Sequence, residues 1–189
     1  MKTKDHKIMA KHLLNCADIY IAKSLKAAFI LGNIEPDRNP FTYLRGSIKN
    51  QMLRGHNFDN SYESIVKLVR RIQLHGCTRM RDFYLLGKLT HYVADAFTFP
   101  HNKEFTGGLL EHCNYESTLH LYVMKFLEDE NVKVKVNITS DELIQKICLM
   151  HQKYLQEEKG FSLDCSYIMQ TVCMVMEYFV GEEKVWILG

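Results

Sequence analysis

Four side chains with metal-binding chemistry stand in two pairs, His91 with Asp95 and His112 with Glu116, each pair four residues apart. On an α-helix that separation brings both side chains out of one face, a turn apart. The stretch that holds them, GKLTHYVADAFTFPHNKEFTGGLLEHCNYE (87–116), reads as helix, broken turn, helix. His101 sits in the turn, directly after Pro100. Imidazole plus carboxylate is the ligand mix of catalytic zinc, whereas structural zinc prefers thiolates in closed tetrahedra. One such pair alone is equally a solvated helix face. Two pairs flanking a third histidine narrow the choice toward a site built between facing helices.

The remainder of the chain reads as more helix. Residues 7–30 place apolar side chains at 9, 13, 17, 20, 21, 25 and 28, a helical spacing, with His12 on the same segment and Gly32 as the expected stop. Segment 32–47 then reads as a loop carrying Pro36, Asp37 and Pro40. His56 follows Gly55 in a second loop, and Asn60 or Ser61 is the expected cap of a helix over 62–75. Helices are predicted over 79–97 and 109–129. An extended linker is predicted over 130–138, followed by a helix over 141–158 capped by Ser140 and an apolar closing helix over 163–180. Met169, Met174 and Met176 read as core filler, and Trp186 as a seal on the core. His120, one turn beyond Glu116, reads either as a further donor or as the flank of an apolar stripe. With six or so helices, short loops and no convincing strand, the fold class is all-α, a multi-helix bundle forming one domain over 1–189.

Composition sets bounds. A formal net charge of +2 implies no broad polyanion-binding surface, so no specific nucleic-acid recognition is expected. The six cysteines lack CxxC spacing and read as small buried hydrophobes, which argues against a disulfide framework or a thiolate zinc site. No apolar run reaches the ~18 residues a membrane span needs. The first residues, MKTKDHKIMAKHLL, are too polar for a secretory signal. That predicts a cytoplasmic protein, or a secreted one whose leader has been removed.

GNIEPD, GH, THYVADAFTFPHN and EHCNYE, in this order, resemble the zinc-dependent phospholipase C family. That family includes the bacterial phosphatidylcholine-type enzymes and the alpha-toxin catalytic domain, with the S1/P1 nucleases as distant relatives. The motifs span roughly residues 10–120. The resemblance implies an all-α bundle of the phospholipase C/P1 nuclease type around a zinc cluster. It implies that Asp37, His56, His91 and Asp95 hold one zinc, and that His101, His112 and Glu116 hold a second. Asp95 would bridge to a third, held by His12. The secreted members complete that third site with an N-terminal Trp, which this chain lacks. Three alternatives stay open: the third site is absent, is weaker, or draws on other groups such as His6 or the terminal amine.

Such a cluster offsets the charge of a phosphodiester and activates water. The expected activity is phospholipase C-type hydrolysis of a phospholipid head group by a metal-activated hydroxide, with Asp37 orienting or deprotonating the water. Phe41, Tyr43, Phe58 and Tyr62 are the aromatic candidates for substrate contact, by stacking or by cation–π attraction to a quaternary ammonium. The expected partners are a phospholipid or related phosphate ester and, transiently, a membrane surface. The alternatives are an S1/P1-like nuclease or other phosphate-ester hydrolase, or a zinc-binding protein without catalysis.

Overall fold

A computed structural model describes residues 1–16, 21–39, 58–129 and 136–181, apart from the side chains of 59, 60 and 129. Within them lie seven α-helices and no strand: α1 (Thr3–Cys16), α2 (Lys23–Arg38), α3 (Phe58–His75), α4 (Met80–Ala96), α5 (Leu109–Asp129), α6 (Ser140–Gln156) and α7 (Phe161–Val180). A single turn of 3₁₀ helix, Phe99–His101, follows α4. None of the described helices is long and apolar enough to cross a membrane.

α4 is the axis of the bundle. It packs against α2, α3 and α7 and is buried almost all round over its last ten residues. A helix can be enclosed in this way only where apolar side chains leave it on several faces. Phe83, Leu86, Leu89 and Val93 supply them, and they meet Phe29 of α2, Ile65, Val69 and Ile72 of α3, and Val172 and Val175 of α7 in one core. Each such side chain contributes about 1.5–3 kcal/mol by leaving water. That apolar surround carries the cost of enclosing His91 and Asp95 on the same helix, 0% and 2% exposed.

Two glycines set the closest helix approach. A Cβ on Gly32 would lie 2.0 Å from the Tyr84 carbonyl oxygen, and one on Gly87 would lie 2.1 Å from that of Phe29. The α2 and α4 backbones therefore touch where a side chain would hold them apart. Gly32 is accordingly not the stop expected of it. α2 runs on through Pro36 to Arg38, so Asp37 stands on its last turn rather than in a loop. Pro36 offers no N–H to the carbonyl four residues back, which weakens the turn just before the helix ends.

The helix expected over 7–30 is two helices, ended at Cys16 and restarted at Lys23. Apolar spacing alone does not separate one long helix from two that share a phase. Ser61 lies inside α3, its hydroxyl bonded to the Phe58 carbonyl, rather than capping it. Gly76, with φ of +69°, takes the left-handed conformation after α3 that most side chains disfavour. The cap of α6 is Thr139, one residue before the expected Ser140. Its hydroxyl accepts from Glu142 N–H while the Glu142 carboxylate takes Thr139 N–H at 2.6 Å. Met169, Met174 and Met176 are core residues as read. Of the cysteines only Cys165 is fully buried; Cys16 and Cys113 are exposed. Trp186 and most of the expected linker lie outside the described residues.

Candidate metal centre

The glycine contact fixes what His91 can do. With α2 and α4 this close, Nδ1 of His91 lies 2.8 Å from the backbone carbonyl oxygen of Asn33, the residue after Gly32. A carbonyl only accepts, so Nδ1 carries a proton, and in its neutral form the ring presents its lone pair at Nε2. Asn33 is buried beside Thr90, whose Oγ1 lies 3.2 Å from Asn33 Oδ1. Nε2 of His91 stands 3.2 Å from Asp95 Oδ2 and 3.6 Å from Asp37 Oδ1. Asp95 Oδ2 and Asp37 Oδ2 are buried oxygens that accept no hydrogen bond. His6 of α1 stacks on His91, ring centroids 3.8 Å apart, and its Nε2 is 3.1 Å from Asp95 Oδ1. His6, Asp37, His91 and Asp95 each bring one donor atom within 4.8 Å of all the others.

A second trio gathers beside the first. His101 of the 3₁₀ turn and His112 and Glu116 of α5 also place donors within 4.8 Å of one another. His112 Nε2 is 3.2 Å and His101 Nε2 3.5 Å from Glu116 Oε1. His101 Nδ1 reaches back to Asp95 Oδ2 at 3.7 Å, so Asp95 touches both groups. The α-amino group of Met1 lies in the same space, 2.8 Å from Asp95 Oδ1, 3.1 Å from Glu116 Oε1 and 3.4 Å from His101 Nε2.

The charges fit a cation. Burial opposes the ionised form of Asp95, but the positive groups of His101, Met1, His6 and His91 hold its carboxyl well below the usual range. Glu116 is lowered too, burial being outweighed by its hydrogen bonds from His101 and His112. Burial also pulls the Met1 amine down, yet Asp95 and Glu116 raise it to about 11. Burial, then neighbouring His91, lowers His6; burial is overcome at His91 by Asp95 and Asp37, which raise it. Carboxylates that keep oxygens without hydrogen bonds, Asp95 Oδ2 and Asp37 Oδ2, beside an imidazole whose Nδ1 is fixed by Asn33, are a donor set for a divalent transition metal.

The residues expected from sequence fall as follows. Asp37, His91, Asp95, His101, His112 and Glu116 come together. His56, Phe41 and Tyr43 lie outside the described residues. His12 does not join the cluster; its Nε2 faces Cys16 Sγ at 3.3 Å on its own helix. His6 is the α1 histidine that enters. Six residues at about 100° each turn His12 some 120° away from the face that His6 uses. Phe58 and Tyr62, expected to line a substrate cleft, pack inward: Phe58 stacks on buried His151 at 3.6 Å, and Tyr62 tilts against Phe58. Phe105 stands beside His112, ring centroids 6.2 Å apart. His120 donates to no cluster residue but pairs with buried Asp5, Nδ1 to Oδ1 at 2.5 Å, joining α5 to α1. No i, i+4 pattern marks His6, which is why spacing alone passes over it.

The chain matches, over residues 5–161, the model of a protein family described as zinc dependent phospholipase C. No curated protein and no solved structure matches.

Proposed function

Since the chain belongs to the zinc-dependent phospholipase C family, we propose that it hydrolyses the phosphodiester between a glycerolipid and its phosphorylated head group. His91, Asp95, Asp37 and His6 would hold one zinc, and His101, His112 and Glu116 a second, with Asp95 shared between them. The observation that carries this is the fixed Nδ1 contact of His91 to Asn33, which aims Nε2 at the buried carboxylate of Asp95 and the part-exposed one of Asp37. Bound zinc supplies positive charge for the phosphodiester oxygens and lowers the pKa of water from about 15.7 to about 7.

The protein side chains do the rest. Asp37, at the end of α2 and part-exposed, orients the attacking water and takes its proton. Water adds to phosphorus, the bond from phosphorus to the glycerol oxygen breaks, and that oxygen leaves with a proton as diacylglycerol. The positive groups around Asp95 keep its carboxylate ionised against burial, and the buried wall behind it makes these interactions stronger than in bulk water.

The test is an assay of zinc-loaded protein on phosphatidylcholine vesicles, a soluble chromogenic phosphocholine ester and single-stranded DNA. Release of phosphocholine from the first two is expected. Turnover of DNA alone would put the chain with S1/P1-type nucleases, and zinc binding with no hydrolysis would mark a non-catalytic metal protein.

A further inference from the structure

The carboxylate of Asp164 is fully buried on α7, outside the residues that the family model covers. Three donors converge on it. The Tyr154 hydroxyl donates to Oδ1 at 2.8 Å; the Tyr115 hydroxyl donates to Oδ2 at 2.8 Å, and the Phe99 N–H donates to the same oxygen at 3.2 Å. Two of these donors belong to the elements of the His101, His112 and Glu116 trio. Phe99 begins the 3₁₀ turn that ends at His101. Tyr115 directly precedes Glu116 and follows His112 by three residues on α5. Tyr154, on α6, belongs to an element with no member of either donor group.

Hydrogen bonds to a buried carboxylate are short and about twice as strong as neutral ones. One oxygen of Asp164 therefore ties the turn of His101 to the helix of His112 and Glu116. The far end of the turn is held separately: Asn102 Nδ2 bonds the Thr98 carbonyl at 3.0 Å, and its Oδ1 meets His151 Nε2 at 2.7 Å.

We infer that Asp164 is a positioning residue for the second metal half-site, setting the distance between His101 and the His112–Glu116 pair through Phe99 N–H and Tyr115 OH. It touches no member of the donor groups; groups bonded directly to ligands change metal affinity by about 10–100-fold when removed, and Asp164, one step further out, is expected at the low end of that range. The inference rests on the metal-centre reading above.

The three donors supply their own control. Tyr115→Phe and Tyr154→Phe each delete one hydroxyl from the same carboxylate, but only the first loosens an element of the half-site. Metal-free wild type, Tyr115→Phe, Tyr154→Phe and Asp164→Asn are titrated with zinc by calorimetry, alongside thermal melts. The cobalt-substituted proteins are compared by visible absorption. Tyr115→Phe is expected to weaken one class of zinc sites by about tenfold, leave the other class unchanged, and alter the cobalt spectrum. Tyr154→Phe should lower Tm while keeping wild-type zinc affinities and spectrum. Asp164→Asn, where it folds, should weaken the same class of sites at least as far as Tyr115→Phe. Equal shifts in the two tyrosine variants, or no shift in either, would overturn the inference. A wild type that takes up no zinc overturns the metal centre itself, and this inference with it.

Discussion

At the scale of single residues, the backbone decides which atom of His91 is available. Because Nδ1–H donates to the Asn33 carbonyl, substitution of His91 by Ala removes a ligand atom aimed at Asp37 and Asp95 and leaves buried Asp95 without that neighbour. Zinc stoichiometry should fall, and hydrolysis should drop by more than the ~100-fold upper range of an outer-layer change. His6→Ala should also weaken zinc, whereas His12→Ala should leave both stoichiometry and activity at wild-type level. Equilibrium dialysis followed by metal analysis distinguishes the three; loss of zinc in His12→Ala but not in His6→Ala would reverse the assignment. Asp164 gives a pH signature. Burial raises its pKa from 3.8 to about 6 against the pull of its three hydrogen bonds. A folded value above the unfolded one means that its stabilising contribution is complete below about pH 4 and lost as pH rises through 6. The stability advantage of metal-free wild type over Asp164→Asn should therefore be larger near pH 4.5 than near pH 7.5, by up to about 2 kcal/mol, as denaturant unfolding at the two pH values would show. An advantage that grows with pH would contradict this.

At the scale of elements, the α2–α4 contact governs the site. Gly87→Ala would drive a Cβ to 2.1 Å from the Phe29 carbonyl oxygen, so the helices must part. Overpacking of this kind costs about 1–3 kcal/mol or more, and here it also pulls Asn33 and Asp37 away from His91. Tm and zinc affinity should fall together, as a melt with and without zinc would show; an unchanged melt would mean that the helices are not held by that contact. Thr139→Ala offers the contrast: loss of the α6 cap should cost about 1 kcal/mol with zinc affinity untouched.

Most of the helices were legible in the sequence because apolar side chains recur at helical spacing over ten or more residues. The His91/Asp95 and His112/Glu116 pairs were legible because a four-residue step has one meaning on a helix. What escaped depends on contacts remote in sequence. Gly32 looks like a stop until Gly87 is laid against it. Asp37 looks loop-borne until α2 runs past Pro36. His6 carries no spacing signal of its own, and Asp164 acquires its meaning only from Phe99 and Tyr115, 65 and 49 residues away.

For the molecule as a whole, the donor groups draw on α1, α2, α4, α5 and the 3₁₀ turn, so binding metal amounts to pinning most of the bundle together. Zinc that binds the folded state alone adds about 4 kcal/mol at a thousandfold excess over its Kd. Chelation should therefore lower Tm by several degrees, and restored zinc should recover it. Anomalous X-ray scattering at the zinc edge, from crystals of the purified protein, tests the central claim most directly. It should give one peak among His91, Asp95 and Asp37 and another among His101, His112 and Glu116. Crystals with no peak at either place, and with these imidazoles turned away from one another, would contradict it.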